Sequence, residues 1–120
     1  MSKIVQAVNA MISNPDNITK VIRGETEFFF IYRDKYKWSI TRKPNGDHVL
    51  WFYPGEIPIE TLATYEGPEF EGIDMVIYND AEIGTQEARA TFAELYTMLK
   101  ERLFNVHKVL DDIISDSDLA

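Results

Sequence analysis

Apolar residues recur at helical spacing near the start of the chain. Five of them follow the i, i+1, i+4, i+7, i+8 pattern that places them on one face of a helix: Ile4, Val5, Val8, Met11 and Ile12. Because the residue before a proline avoids the α region, this helix is expected to end before Pro15.

A short second helix is expected to begin at Pro15. Asn14 would be its N-cap, Pro15 its first residue, and Gly24 would end it. Its buried side would be formed by Ile18, Val21 and Ile22.

The apolar pattern then changes to one typical of strands. Three runs are rich in aromatic and β-branched residues, namely Glu27–Arg33, Tyr36–Arg42 and His48–Tyr53. Asp34-Lys35 separates the first two runs, and the five residues from Lys43 to Asp47 separate the last two. This pattern predicts a three-stranded antiparallel meander.

The second turn of the meander sets which side chains share a face. Asn45-Gly46 suits a two-residue type I′ turn, whereas Pro44-Asn45 suits a type I turn followed by a left-handed Gly46. The second geometry is favoured because Pro44 has the φ that it requires. One face would then hold Phe29, Ile31, Trp38, Ile40, Leu50 and Phe52, and the other Phe28, Phe30, Tyr32, Val49, Trp51 and Tyr53 with Lys37, Ser39 and Thr41. The two-residue turn would instead place Trp51 and Tyr53 with Trp38.

Both faces of the sheet are aromatic with either turn. The sheet must therefore be covered on both faces or must present one face to a partner.

The remaining elements follow a connector. Within Pro54–Gly72, residues 58–65 suit either a helix or, over 61–65, an edge strand. Asp74–Asn79 is predicted to be a further strand. A long helix is expected from an N-cap at Thr85 to Ile114, with an apolar stripe formed by Phe92, Leu95, Tyr96, Leu99, Leu103, Val106, Leu110, Ile113 and Ile114.

This order of elements predicts one α+β domain over residues 1–120. It comprises an N-terminal helix, a short second helix, an antiparallel meander with at least one further strand, and a long C-terminal amphipathic helix packed on the sheet. A continuous 30-residue helix would be about 45 Å long, which exceeds the roughly 35 Å diameter of such a domain. We therefore expect the helix to break, with Asn105 as its weakest position, or to project. A projecting apolar end predicts a homodimer. The acidic tail at about 115–120 is expected to fray.

Composition narrows the class of function. The chain has 120 residues, 12 basic and 20 acidic, for a net charge of −8, which disfavours direct nucleic-acid binding. It has no cysteine, and we find no phosphate-binding loop and no paired histidines, so we expect no cofactor, no metal and no catalytic residue. Without a signal segment or an apolar run long enough to span a membrane, a cytoplasmic location and no membrane partner are expected.

Charge is unevenly distributed along the chain. Residues 54–88 carry nine acidic groups and no basic one. Such a run usually forms a solvated loop, but it also suits docking of a basic partner. The candidate partner-binding residues are Glu66, Glu69 and Glu71 from this run, with Tyr32, Trp51 and Tyr53 as amphipathic aromatics of the meander.

The sequence therefore favours a non-catalytic protein-binding module. In size and charge the chain is similar to small acidic secretion chaperones and toxin-immunity proteins, which implies an inhibitor, immunity or chaperone-like role. A DNA mimic that occupies a nucleic-acid-binding protein is one alternative. Another is a small enzyme or ligand-binding domain whose pocket, between the sheet and the long helix, would hold His107 and a carboxylate.

Overall fold

The computed structural model describes residues 2–117, which form an α+β domain. The helices are α1 (Lys3–Ser13), α2 (Ile59–Leu62), α3 (Asp80–Ile83), α4 (Gln86–Leu103) and α5 (Val106–Ser117), with 3₁₀ turns at Pro15–Asn17 and Gly67–Phe70. The strands are β1 (Ile18–Arg23), β2 (Phe28–Tyr32), β3 (Tyr36–Arg42), β4 (His48–Tyr53) and β5 (Val76–Asn79). They form one antiparallel sheet in the order β1-β2-β3-β4-β5. The predicted fold class is confirmed. Of the tail predicted to fray, residues 115–117 end α5, and residues 118–120 lie outside the described residues.

The predicted second helix is wrong. Only one 3₁₀ turn forms after Pro15, and the chain continues as the edge strand β1. Val21 pairs with Phe30 and Ile22 with Phe29, so the two apolar side chains lie on opposite faces of the sheet. Their spacing suits a helix equally well, but the strand packs both of them against aromatic residues of β2.

The favoured β3–β4 turn is confirmed. The Gly46 amide donates to the Lys43 carbonyl at 2.9 Å, and Gly46 has a φ of +94°. Pro44 and Asn45 thus occupy the centre of the turn. Ser39 pairs with Trp51 and Lys37 with Tyr53, as the favoured register requires.

The expected register of β2 against β3 is wrong by one residue. Tyr32 pairs directly with Tyr36, because the connecting loop has three residues rather than two. Arg33 and Asp34 both adopt a φ of +57°, a conformation for which a sequence normally shows glycine or asparagine. As a result, Phe28, Phe30 and Tyr32 share a face with Trp38.

Different segments of the chain pack on the two faces of the sheet. We call the face under α1 and α4 the helix face. Its core consists of Val8, Met11, Ile18, Phe28, Phe30, Ile40, Leu50, Phe92, Leu95 and Leu99. The opposite face, which we call the connector face, is covered by residues 54–75, the connector. Within the connector, the helical alternative for residues 58–65 is confirmed over Ile59–Leu62, which form α2.

The predicted long helix breaks at Phe104-Asn105 and also projects. Thr85 caps α4 as expected, its hydroxyl accepting from the Ala88 amide at 3.0 Å. At the other end, the Arg102 guanidinium donates to the carbonyls of Ile18 at 2.5 Å and Pro15 at 2.7 Å. Asn105 then takes a φ of +55°, which redirects the chain. The domain measures 58 × 33 × 29 Å, and the long dimension reflects the projection of α5.

Candidate functional site

The connector is anchored on the sheet by both apolar and polar contacts. Ile59 and Leu62 are buried in the same cluster as Phe29 and Tyr53. The Lys37 ammonium group donates to the carbonyls of Gly55 at 2.6 Å and Ile57 at 2.5 Å. The connector face is therefore largely covered by the protein itself.

A second lysine binds the one connector carboxylate that has a basic partner among the described residues. The Lys20 ammonium donates to Glu60, and this hydrogen bond is the main reason that the pKa of Glu60 is lowered. Both side chains are about half exposed, so the ion pair contributes little to stability. It does offset one of the nine negative charges of residues 54–88, which we call the acidic segment.

Of the three candidate aromatics, Tyr53 lies on the expected face but is buried, and Tyr32 lies on the opposite face. Tyr53 is on the connector face but is only 4% exposed, and its phenol shares a 2.7 Å hydrogen bond with the Ser39 hydroxyl. Burial raises the pKa of Tyr53 to about 12. Tyr32 lies on the helix face, half-buried, and its phenol oxygen accepts from the Asn17 amide at 3.3 Å. Tyr32 therefore lies on the face opposite the connector, whereas Tyr53 lies beneath the connector with only its edge open.

Trp51 is the candidate aromatic that does lie beside the acidic segment. It is half-buried on the connector face and shares a cavity of 200 Å³ with Glu27, Tyr53, Phe70 and Met75. Its cross-strand neighbour Ile77 is 57% exposed. We call this group of Trp51, Phe70, Met75 and Ile77 the Trp51 patch.

The three candidate glutamates lie next to Phe70 of the Trp51 patch. All three are exposed: Glu66 and Glu71 flank the 3₁₀ turn that carries Phe70, and Glu69 lies within it. The Glu69 carboxylate accepts from the Glu66 amide at 3.0 Å, which fixes the start of that turn. Within residues 2–117, no lysine, arginine or histidine lies within 4.0 Å of these three carboxylates.

Glu27 is the carboxylate that reaches into the cavity of the patch. It is partly buried, and this desolvation is the main reason that its pKa is raised; repulsion from Glu25 adds to the effect. Its side chain accepts a hydrogen bond from Thr26 at 3.3 Å, and in the described chain it has no ion-pair partner. A cation from outside would therefore relieve an unfavourable charge at this position.

Compared with protein-family models, curated proteins and solved structures, the chain gives no match.

A buried carboxylate–imidazole pair lies where β4 begins and β5 ends. Asp80 is 1% exposed and accepts from the His48 amide at 3.1 Å, while its second oxygen lies 3.2 Å from His48 Nδ1. The residues are 32 positions apart, and only the β4–β5 register brings them together. No local pattern in the sequence indicates this pair.

His107 does not form the site that the enzyme alternative requires. Its side chain is 81% exposed at the start of α5, with Nε2 3.5 Å from Glu101. Both residues line an open cleft beside Pro15 and Asn105 rather than a pocket between the sheet and α4. In the described range, no three His, Asp or Glu side chains form a group able to hold a metal ion, and no helix is long and apolar enough to cross a membrane.

The helix face contains a second open surface. A groove of 490 Å³ runs beside α1, with Ala7 and Ala10 as its wall and Trp38, Phe52 and Tyr78 as its floor. It also takes in Met11, Tyr32, Arg33 and Tyr36. We call it the α1 groove.

Proposed function

We propose that this protein is a non-catalytic protein-binding module that docks a basic partner on the Trp51 patch and the carboxylates around it. The supporting observation is a partly open apolar centre whose neighbouring carboxylates have no basic partner within the described residues. An aromatic anchor with a charged rim is the usual composition of a specific protein interface.

The two parts of the surface have different roles in this proposal. Glu66, Glu69 and Glu71 are exposed, so their charge accelerates encounter and is screened by salt beyond about 10 Å at 0.1 M. Trp51 and Ile77 offer apolar area that a bound partner would bury, which slows dissociation. Tyr32, on the helix face, is not part of this surface, and Tyr53 contributes only the small edge that lines the cavity.

The test uses two variants with the same change in net charge. One carries Glu66→Lys, Glu69→Lys and Glu71→Lys, and the matched control carries Glu82→Lys, Glu87→Lys and Glu94→Lys, three exposed residues of α3 and α4. Wild type and both variants are used in parallel to capture binding proteins from an extract of the source cells. We expect a protein retained by wild type and control but lost by the patch variant.

Stopped-flow association with the captured protein then measures the size of the effect. The patch variant should associate roughly tenfold or more slowly than wild type at low salt, and the difference should shrink as salt rises. An association rate that is indifferent to salt and equal for the two variants would show that the acidic segment only keeps the chain in solution.

Trp51→Ala tests the apolar centre separately. It should cost about 2 kcal/mol or more of binding free energy, mostly through faster dissociation. Because Trp51 is half-buried, the melting temperature of the Trp51→Ala variant is measured first, to establish that it is folded. A folded Trp51→Ala variant with unchanged affinity would exclude Trp51 as an anchor.

We also propose that the chain forms a homodimer through α5. The support is the exposed apolar face of this helix, in which Val109, Leu110, Ile113 and Ile114 are 46–60% exposed. Sedimentation equilibrium tests it, and a monomer at all concentrations would refute it. The cytoplasmic location, the DNA-mimic alternative and the small-enzyme alternative stay predictions.

A further inference from the structure

Helix α5 carries an apolar face that the rest of the described chain does not cover. At 100° per residue, its apolar side chains span an arc of about 140°. They are Val106, Val109, Leu110, Ile113 and Ile114, and none of them is buried. A stripe of this width is typical of a helix that packs on a core.

The edges of this stripe are acidic. Asp112 and Asp116 are one turn apart and adjoin Val109, and Asp111 lies beyond Ile114. Carboxylates near the C-terminal end of a helix oppose its dipole, so they weaken an isolated α5. A cationic surface at this edge would offset that cost.

The α1 groove has the complementary properties. Its floor is aromatic, and its wall consists of two alanines, whose small side chains allow another helix to approach closely. α1 and α4 cover the rest of the helix face, so a third helix would complete the layer. Tyr36 in the groove is 39% exposed, and Trp38 Nε1 is the buried side-chain donor that lacks an acceptor in the described residues.

One end of the groove is basic. The Arg33 guanidinium lies 5.8 Å from the centre of the Tyr32 ring, and the Lys35 ammonium lies 5.2 Å from that of Tyr36. Neither cation is within 4.0 Å of a carboxylate among residues 2–117. The groove therefore matches α5 in both polarity and charge.

We propose that α5 of one copy lies in the α1 groove of a second copy, and that the exchange is reciprocal about a two-fold axis. This names the surface that α5 contacts in the homodimer proposed above, and it rests on that proposal. In the structure, the Phe104-Asn105 link directs α5 away from the body, and the groove of the same chain is open. Two copies can fill both surfaces without any change in this link.

The area is sufficient for a stable dimer. A 12-residue helix is about 18 Å long, and half the water-accessible surface of such a cylinder is about 400 Å². Each copy contributes one helix and one groove, hence about 800 Å², which is the area per partner of a standard interface.

Disulfide formation between single-cysteine chains tests the pairing directly, because the natural chain has no cysteine. One chain carries Ala10→Cys in the groove wall and another Ile113→Cys in α5. When they are mixed under mild oxidation, we expect a covalent heterodimer and little of either covalent homodimer. A dominant Ile113→Cys homodimer would mean that α5 pairs with α5, which overturns the groove assignment but not the dimer.

Two further variants measure the contribution of each surface. Leu110→Ser with Ile113→Ser removes four apolar side chains per dimer, and Ala10→Arg blocks the groove. Both should raise the dimer dissociation constant by at least about 100-fold. The control Ala90→Arg, at another exposed alanine on α4 outside the groove, should leave the dissociation constant unchanged.

Different results would refute the homodimer and the placement of α5 in the α1 groove. A wild-type monomer refutes the homodimer itself. A dimer that is sensitive to the α5 variant but not to Ala10→Arg refutes only the groove. An intramolecular disulfide in a chain carrying both cysteines, without a covalent dimer, means that α5 folds onto its own groove and also refutes the exchange.

Discussion

Replacing Asp80 by alanine should destabilise the domain strongly. Asp80 is the first residue of α3 and follows the last paired residue of β5, where Asn79 lies opposite Val49. Its carboxylate accepts from the His48 amide and lies within hydrogen-bond distance of His48 Nδ1, so it extends the pairing of β4 by one residue.

The magnitude follows from the groups that would be left without a partner. His48 is 7% exposed, so its amide would lose its acceptor inside the protein. An unpaired buried donor costs about 1–3 kcal/mol, and with the imidazole group we expect a loss of about 2–5 kcal/mol of unfolding free energy. For a domain of this size, that lowers the melting temperature by about 8–20 °C.

Asp80→Asn and Glu82→Ala are the matched variants. Asparagine keeps an oxygen that can accept from the His48 amide, so its loss should be about 1 kcal/mol. Glu82 lies in the same first helical turn, but it is exposed and forms no ion pair with His48 in the described structure. Glu82→Ala therefore reproduces the loss of a charge near the helix N-terminus without the loss of the pair.

Urea unfolding followed by tryptophan fluorescence gives the three free energies, and amide hydrogen exchange shows where the structure loosens. In Asp80→Ala the exchange of β5 should rise first, because Asp80 fixes its end. Since β5 carries Ile77 of the Trp51 patch and Tyr78 of the α1 groove, both surfaces should weaken with it. If Asp80→Ala lost no more stability than Glu82→Ala, the pair would not hold β5 in place.

Two further predictions concern local strain. The folded-state pKa of Glu27 is above its ordinary value of 4.5, so ionisation destabilises the fold and stability falls as pH rises through the folded pKa. Glu27→Gln should therefore be more stable than wild type at pH 7 and lose this advantage below pH 4.5; equal differences at both pH values would argue against a desolvated carboxylate. Asp34→Gly should gain about 1 kcal/mol in urea unfolding, since glycine adopts the φ of +57° without a steric penalty. A loss of stability there would mean that the Asp34 side chain has a role the backbone geometry does not reveal.

The elements that the sequence predicts well are those with a local physical cause. Pro44 and Gly46 each have a conformational restriction or freedom that fits one turn, and the β3–β4 register follows from it. Thr85 caps α4 through its own hydroxyl. Both features depend on residues at most three positions apart.

The elements that the sequence does not predict depend on tertiary contacts. Val21 and Ile22 satisfy helical and strand patterns alike, and only the packing of β2 against them selects the strand. Arg33 and Asp34 give no sign of a left-handed turn, so the β2–β3 register is missed, and Tyr32 is assigned to the wrong face.

The same distinction applies to the candidate site. The exposed glutamates are evident from the charge pattern, but the burial of Tyr53 depends on how the connector packs over it. The pairing of Trp51 with Ile77 and the raised pKa of Glu27 likewise arise only when distant segments meet.

The strand order also determines how early each part of the domain can form during synthesis. The first four strands are joined by loops of three to five residues, so they can pair once Tyr53 has been made. Closing the 22-residue connector costs about 1.5 kcal/mol more entropy than closing a four-residue loop. The contact between α1 and α4, such as that of Asn9 with Thr91, spans 82 residues and comes later still. Until α4 leaves the ribosome, the aromatic helix face has no cover but α1, and this interval is when the nascent chain is most exposed to aggregation.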